Sequence, residues 1–177
     1  MLIRRLVMTL IFCGFLGGSA ANAADPQCYN LASLQGQYAV VLNYGANVAM
    51  GLGTKYYDGK GNFANTNLIN QPTAGSTTGA RTIVTTTNVG TYTVNCDGTG
   101  VIIRTLTAPD GTVTHTTDDF VITGAIVVPS PLGQYVSDQL IATAIQVAVR
   151  TPSAIVSGGI FVTRSETLLP FRHAPQP

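Results

Sequence analysis

Three Asp-Gly dipeptides, Asp58-Gly59, Asp97-Gly98 and Asp110-Gly111, each stand between two segments of β character. Aspartate accepts hydrogen bonds from the backbone just ahead of it, and glycine tolerates positive φ. An Asp-Gly pair between alternating segments is therefore a strong hairpin signal. Three such turns in one chain demand an antiparallel sheet, and the flanking residues agree. Tyr38, Val40, Leu42 and Tyr44 alternate with Ala39, Val41 and Asn43, which is the period-two pattern of a half-buried strand. Val48–Tyr57 reads as a second strand, with Gly51 and Gly53 marking a bend or bulge. Phe63–Ile69 is a third. Asn70–Ala80 has the composition of a long exposed loop. Arg81–Asn88 and Gly90–Asn95 form one bent strand or two short ones, and Val101–Thr107 and Val113–Ile122 form a hairpin. Ala125–Val128 is a short apolar run before prolines. Leu140–Val149 fits a helix starting at Asp138 or a strand. Its Ile and Val content and the β character of the rest favour the strand. Gly159–Leu168 is the last.

About eight short strands in one domain-sized chain predict an all-β fold, a barrel or a sandwich. Closing the sheet removes its edges, which favours a small antiparallel up-and-down β-barrel. An outer-membrane barrel is the rival. The proline-rich end and the lack of membrane-length apolar faces on every strand argue against it.

The termini set the boundaries. Arg4 and Arg5 precede an apolar run, Leu6–Leu16, and Ala21-Asn22-Ala23 has the small-x-small pattern of a signal-peptidase site. Residues 1–23 are expected to be a signal peptide, 24–169 a single barrel domain, and 170–177 a disordered tail. Removing 23 of 177 residues leaves 154. Loss of Arg4 and Arg5 leaves seven Lys and Arg against eight Asp and Glu, a net charge of −1. That argues against nucleic acid, whose phosphates require a basic surface. Charged residues are 10% of the chain, so Thr, Asn, Gln and Ser must carry much of the solvation. The expected destination is the periplasm or the medium, with no membrane span after cleavage. Cys28 and Cys96 remain, and in an oxidising compartment they are expected to pair. By chain entropy a bridge across 68 positions is worth about 4 kcal/mol.

The stretch YYDGKGNF, Tyr56–Phe63, invites a phosphate or calcium reading, but neither holds. A P-loop lysine is followed by Ser or Thr and a helix, whereas Gly61-Asn62 and a strand follow Lys60. In an EF-hand reading Lys60 would repel the ion, Phe63 stands where glycine belongs, and Ile69 where glutamate belongs. The stretch is read as a hairpin loop. His115, in THTTDDF, has Asp119 on its own strand face but about 13 Å away. It reads as a surface histidine rather than a base. Asp118 faces the opposite way from Asp119, so the two are not a glycosidase-like pair. Glu166 is the only glutamate. No catalytic residue, metal site or cofactor is expected. Tyr38, Tyr44 and Tyr92 are the candidate lining of an interior cavity, with a filled core as the plainer reading.

The order Gly36-x-Tyr38, then Tyr57-Asp58-Gly59-x-Gly61-Asn62, then GTYTVNCDGTG from Gly90 to Gly100, resembles exported bacterial β-barrel proteins of unassigned function. These carry F-D-G-x-G-N and G-T-Y-x-V-x-x-D-C-T-G-T turns and are similar to lipocalin-like or allene-oxide-cyclase-like barrels. The resemblance covers about positions 28 to 165 and implies a calycin-like barrel. Tyr57 replaces the usual Phe, and Cys96 precedes Asp97 instead of following it, which bears on the geometry of the bridge. The motifs are turns, so they carry fold and no catalytic residue. The expected function is a non-enzymatic exported barrel that binds a small apolar ligand or an envelope component. The alternatives are a cyclase or dirigent-like barrel enzyme and a structural or adhesive envelope protein. A cavity holding buried polar groups favours the enzyme; a dry, filled interior leaves only surface interaction.

Overall fold

The computed structural model describes residues 28–45, 48–129 and 138–170. The expected signal peptide and residues 171–177 of the expected tail lie outside the described residues. Eight antiparallel strands run in order round a closed barrel: β1 (Gln35–Asn43), β2 (Met50–Asp58), β3 (Asn62–Pro72), β4 (Arg81–Val94), β5 (Thr99–Thr107), β6 (Val113–Val128), β7 (Gln139–Val149) and β8 (Thr163–Leu168). β8 pairs back onto β1, from Tyr38 opposite Leu168 to Asn43 opposite Thr163. Among the described residues no helix is long and apolar enough to cross a membrane.

All three Asp-Gly pairs stand at the turns between successive strands, Asp58 as the last residue of β2 and the other two pairs within the connections. Asp58 Oδ1 accepts from the backbone N–H of Lys60 at 2.7 Å and of Asn62 at 2.9 Å. Asp97 and Asp110 each accept from the N–H two residues on, at Thr99 and Thr112, both at 2.9 Å. Gly59, Gly98 and Gly111 follow with φ of 72°, 85° and 83°, values that a Cβ would strain. YYDGKGNF is thus a hairpin, and Asp58 spends its carboxylate on the turn itself.

At Arg81–Val94 and from Leu140 the structure chooses between alternatives the sequence left open, the strand from Leu140 being the one favoured, and several other boundaries differ from the sequence expectation. Arg81–Val94 is one continuous strand. β3 runs on through Pro72, because Asn70, Gln71 and Pro72 pair with Ile83, Thr82 and Arg81, so only 73–80 form the loop. Ala125–Val128 is the end of β6, continuing past register shifts around Gly124. The segment from Leu140 is strand, within β7. The last strand begins at Thr163, and the residues before it belong to the β7–β8 connection, where Ser153 bridges Ile160. β2 keeps unbroken register through Gly51 and Gly53. These glycines serve close approach instead: a Cβ on Gly53 would sit 2.2 Å from Asn67 Oδ1 and 2.4 Å from the Thr66 carbonyl.

The two barrel ends differ. One carries the β2–β3 and β4–β5 turns and is capped by a 3-10 turn, Leu31–Ser33, with Asn30 as its N-cap. Cys28 is bonded to Cys96 of the β4–β5 turn, Cα–Cα 4.6 Å, and the Tyr29 N–H donates to the Cys96 carbonyl at 3.2 Å. Behind this cap Leu34, Tyr38, Tyr57, Phe63, Tyr92, Ile102, Phe120 and Ile145 pack into an apolar core. The Tyr57 ring meets Tyr38 and Tyr92 edge-on at 5.3 and 5.1 Å, the arrangement that aromatic quadrupoles favour. The opposite end carries the β1–β2, β3–β4, β5–β6 and β7–β8 connections over a smaller cluster of Val40, Leu42, Tyr44, Ala49, Ile69, Val149 and Val162.

Candidate functional site

Between the two apolar clusters the barrel wall turns polar. Strand alternation points Lys55, Asn65, Asn67, Asn88, Arg104, Asp118, Arg164 and Glu166 inward, and all eight are buried. They form a belt across the interior. Asn67 and Asn65 exchange side-chain hydrogen bonds at 2.7 and 3.1 Å, and Asn88 donates to Asn65 Oδ1 at 2.9 Å. Arg104 donates from Nη1 to Asn88 at 3.1 Å and from Nε to Asp118 Oδ2 at 2.9 Å. Arg164 donates from Nη2 to the same Asp118 oxygen. Its Nε lies 3.8 Å from Glu166 Oε1, within ion-pair range but beyond hydrogen-bond reach. Glu166 takes Lys55 Nζ at 2.6 Å and the Tyr57 hydroxyl at 2.8 Å. Lys55 also donates to the Tyr57 oxygen at 3.0 Å and lies over the Tyr57 and Phe63 rings.

Burial sets the electrostatics of the belt. It pushes the Lys55 ammonium down to about 8, although Glu166 pulls the other way. Burial and the Glu166 charge push the Tyr57 phenol well above its ordinary value, so it stays a donor. Burial, with Arg164 close by, lowers Arg104. For Arg164, burial also opposes the charge, but Asp118 and Glu166 outweigh it and raise the guanidinium.

Above the belt, at the end opposite the disulfide, a cavity of about 180 Å³ is lined by inward side chains. Leu42, Tyr44, Ile69, Leu106, Val149 and Val162 supply apolar wall. Asn67, Thr86, Thr114, Thr116, Arg104 and Arg164 supply polar surface. Residues 151–154 of the β7–β8 connection close one side. β2 contributes no lining side chain, since its inward positions at this end are Gly51 and Gly53.

Of the three tyrosines expected to line a cavity, Tyr44 does so. Tyr38 and Tyr92 do not: both are sealed in the core at the disulfide end. Their hydroxyls serve backbone carbonyls, Tyr38 that of Ala142 at 2.6 Å and Tyr92 those of Leu34 and Leu31 at 2.8 and 3.0 Å. They hold the closed end together and so cannot face a ligand. His115 is exposed on β6, with Nδ1 3.1 Å from the Thr105 hydroxyl. Asp119 faces outward to Arg150, and Asp118 faces inward to the two arginines, on opposite faces as the alternation requires.

The belt is what sequence reasoning missed. Its eight members come from six strands and gather only through the register. The signal was a charge in phase with apolar neighbours: Lys55 before Tyr57, Arg104 between Ile102 and Leu106, Asp118 before Phe120, Arg164 and Glu166 before Leu168. Among the described residues no group of three or more His, Cys, Asp or Glu is placed to hold a metal ion. The chain matches no known protein family, no curated protein and no solved structure.

Proposed function

We propose that this is an exported, non-enzymatic binding barrel that takes a small ligand into the cavity above the polar belt. The observation that carries the reading is the asymmetry of the interior. One end is packed, disulfide-tied and closed by tyrosines. The other holds a cavity whose apolar wall stands over two buried arginines. Ligand sites are concave, mostly apolar and oriented by a few fixed polar groups. The Cys28–Cys96 bridge supports export to an oxidising compartment, periplasm or medium. The calycin-like kinship belongs to this proposal too, supported by the closed up-and-down order of eight strands.

The cavity is slightly larger than one of about 150 Å³ known to hold benzene, so ligands of that size are the test. Saturation-transfer NMR with phenol and benzyl alcohol is expected to show binding to the wild type. It should vanish in Leu106→Trp, which fills the cavity, with circular dichroism confirming the fold. Equal transfer to both proteins places binding elsewhere and sinks the reading.

The buried polar groups favour a second reading, a barrel enzyme of the cyclase or dirigent kind. Such an enzyme shapes a reactive intermediate with few acid–base groups, and here the buried acids and the lysine are engaged within the belt. Lys55 and Glu166 are bonded to one another, and Asp118 is held by two arginines. Binding is therefore the preferred reading.

A further inference from the structure

We propose that the cavity selects small monocarboxylates, seating the carboxylate at Arg164 with Thr86 and Thr116 and the apolar body against Leu42 and Ile69. The inference rests on the binding reading and adds to it the charge and size of the ligand.

Three observations carry it. Arg164 is only 6% exposed and lines the cavity. Its Nη2 is committed to Asp118, but Nε has no hydrogen-bond partner. A guanidinium N–H can only donate, and a buried donor without a hydrogen bond is costly even with the Glu166 carboxylate 3.8 Å away. Second, Oγ1 of Thr86 and Oγ1 of Thr116, two further buried donors on residues lining the same cavity, also lack partners. Three donors without hydrogen-bond partners, on residues that line one small space, suit an acceptor with two oxygens and several lone pairs, which describes a carboxylate.

Third, the interior charge does not balance. Among the described residues Lys55, Arg104 and Arg164 face Asp118 and Glu166, three buried cations against two buried anions. One monoanion closes the difference, whereas a cationic ligand would widen it. The remaining titratable group at the cavity, Tyr44, has its phenol pushed up by burial and adds no negative charge near neutrality. Asp118 Oδ1 also lacks a partner, but Asp118 does not line the cavity and its other oxygen binds both arginines. A second carboxylate on the ligand would be driven against Leu42, Ile69 and Val149. At about 180 Å³ the space suits an acid of roughly benzoate or hexanoate size.

The experiment is titration calorimetry on the full exported chain at pH 7, using benzoate and hexanoate against benzamide and hexanamide. Each acid is expected to bind at least tenfold more tightly than its amide. Thr86→Val/Thr116→Val leaves every ion pair in place and should weaken the acids several-fold while leaving the amides unchanged. Arg164→Gln should abolish the preference; if it fails to fold, the threonine variant still decides. Equal affinity for acid and amide, or acid binding untouched by the threonine changes, overturns the charge selection and leaves the binding reading standing. No binding by any of the four compounds, together with no transfer to phenol or benzyl alcohol, overturns both.

Discussion

Lys55 and Glu166 should be worth far more as a pair than separately, and a mutant cycle can measure the difference. Both are almost fully buried, 3% and 1% exposed, and their charges meet at 2.6 Å. Lys55→Met leaves the Glu166 carboxylate with the Tyr57 hydroxyl and a guanidinium nitrogen at 3.8 Å. Breaking a buried pair in this way costs about 3–5 kcal/mol. Glu166→Gln strands Lys55 instead, with one phenol oxygen and two aromatic faces. Its pKa, already near 8 with the carboxylate present, falls further, and the amine sheds its proton near neutrality. That escape caps the charge cost at roughly 5 kcal/mol, the work of neutralising an ordinary lysine at pH 7. The double variant Lys55→Met/Glu166→Gln removes both charges and keeps an oxygen for Tyr57, so it should sit within about 2 kcal/mol of the wild type. Guanidinium unfolding at constant m-value gives the three differences. A double variant as unstable as the sum of the singles would mean that the residues act independently, and the reasoning would fail.

Four further outcomes follow from the same geometry. Cys28→Ser/Cys96→Ser should lose about 4 kcal/mol of stability, read from the denaturant midpoint, because the bridge closes a 68-residue separation. Gly90→Ala should cost about 3 kcal/mol or more, since the new Cβ would lie 2.1 Å from the Ile103 carbonyl oxygen. Gly111→Ala, in open space at φ +83°, should cost only about 1–2 kcal/mol by thermal melting. Stability against pH should rise between about 8 and 10, then fall. Lys55 has a folded pKa below its unfolded value of 10.5, so the unfolded chain holds its proton more firmly in that window and a higher pH favours folding. Above 10 the phenols of Tyr38, Tyr57 and Tyr92, all pushed up by burial and Tyr92 to about 12, ionise first in the unfolded chain, and stability drops. Denaturant midpoints at half-unit pH steps check this, and a flat profile between 8 and 10 would refute the Lys55 assignment.

The barrel was legible in the sequence because its signals are local. An Asp-Gly turn needs only its own neighbours, and alternation needs only its own strand, so Asp118 and Asp119 could be assigned to opposite faces from six residues of context. Strand ends were less legible. Pairing across the sheet carries β3 through Pro72 and lets β6 continue past Gly124. The cavity depends on information of another kind. Whether an inward tyrosine lines a space or fills one depends on how far along the barrel it stands. Tyr38 and Tyr44 share a face of the same segment, yet one binds the Ala142 carbonyl in a sealed core and the other opens onto the cavity. The belt was hidden for a related reason: its charges come from four strands, and only Arg164 and Glu166 share one.

The belt also explains how one small barrel can be packed at one end and hold a cavity at the other. An interior filled only with Leu, Ile and Val would pack throughout and leave no reason for a cavity. Arginines 104 and 164 prevent this, because their charges are tied to Asp118 and cannot be overlaid by apolar side chains without losing access to further acceptors. The disulfide, the 3-10 cap and the Tyr38 and Tyr92 hydroxyls all lie on the far side of that layer. The apolar core of the closed end and the proposed site therefore share no side chains. Substitutions in the apolar wall at Leu106 or Val162 can reshape what the cavity accepts while leaving the closed end intact. Substitutions in the belt act on both, since it is at once the floor of the cavity and the ceiling of the core.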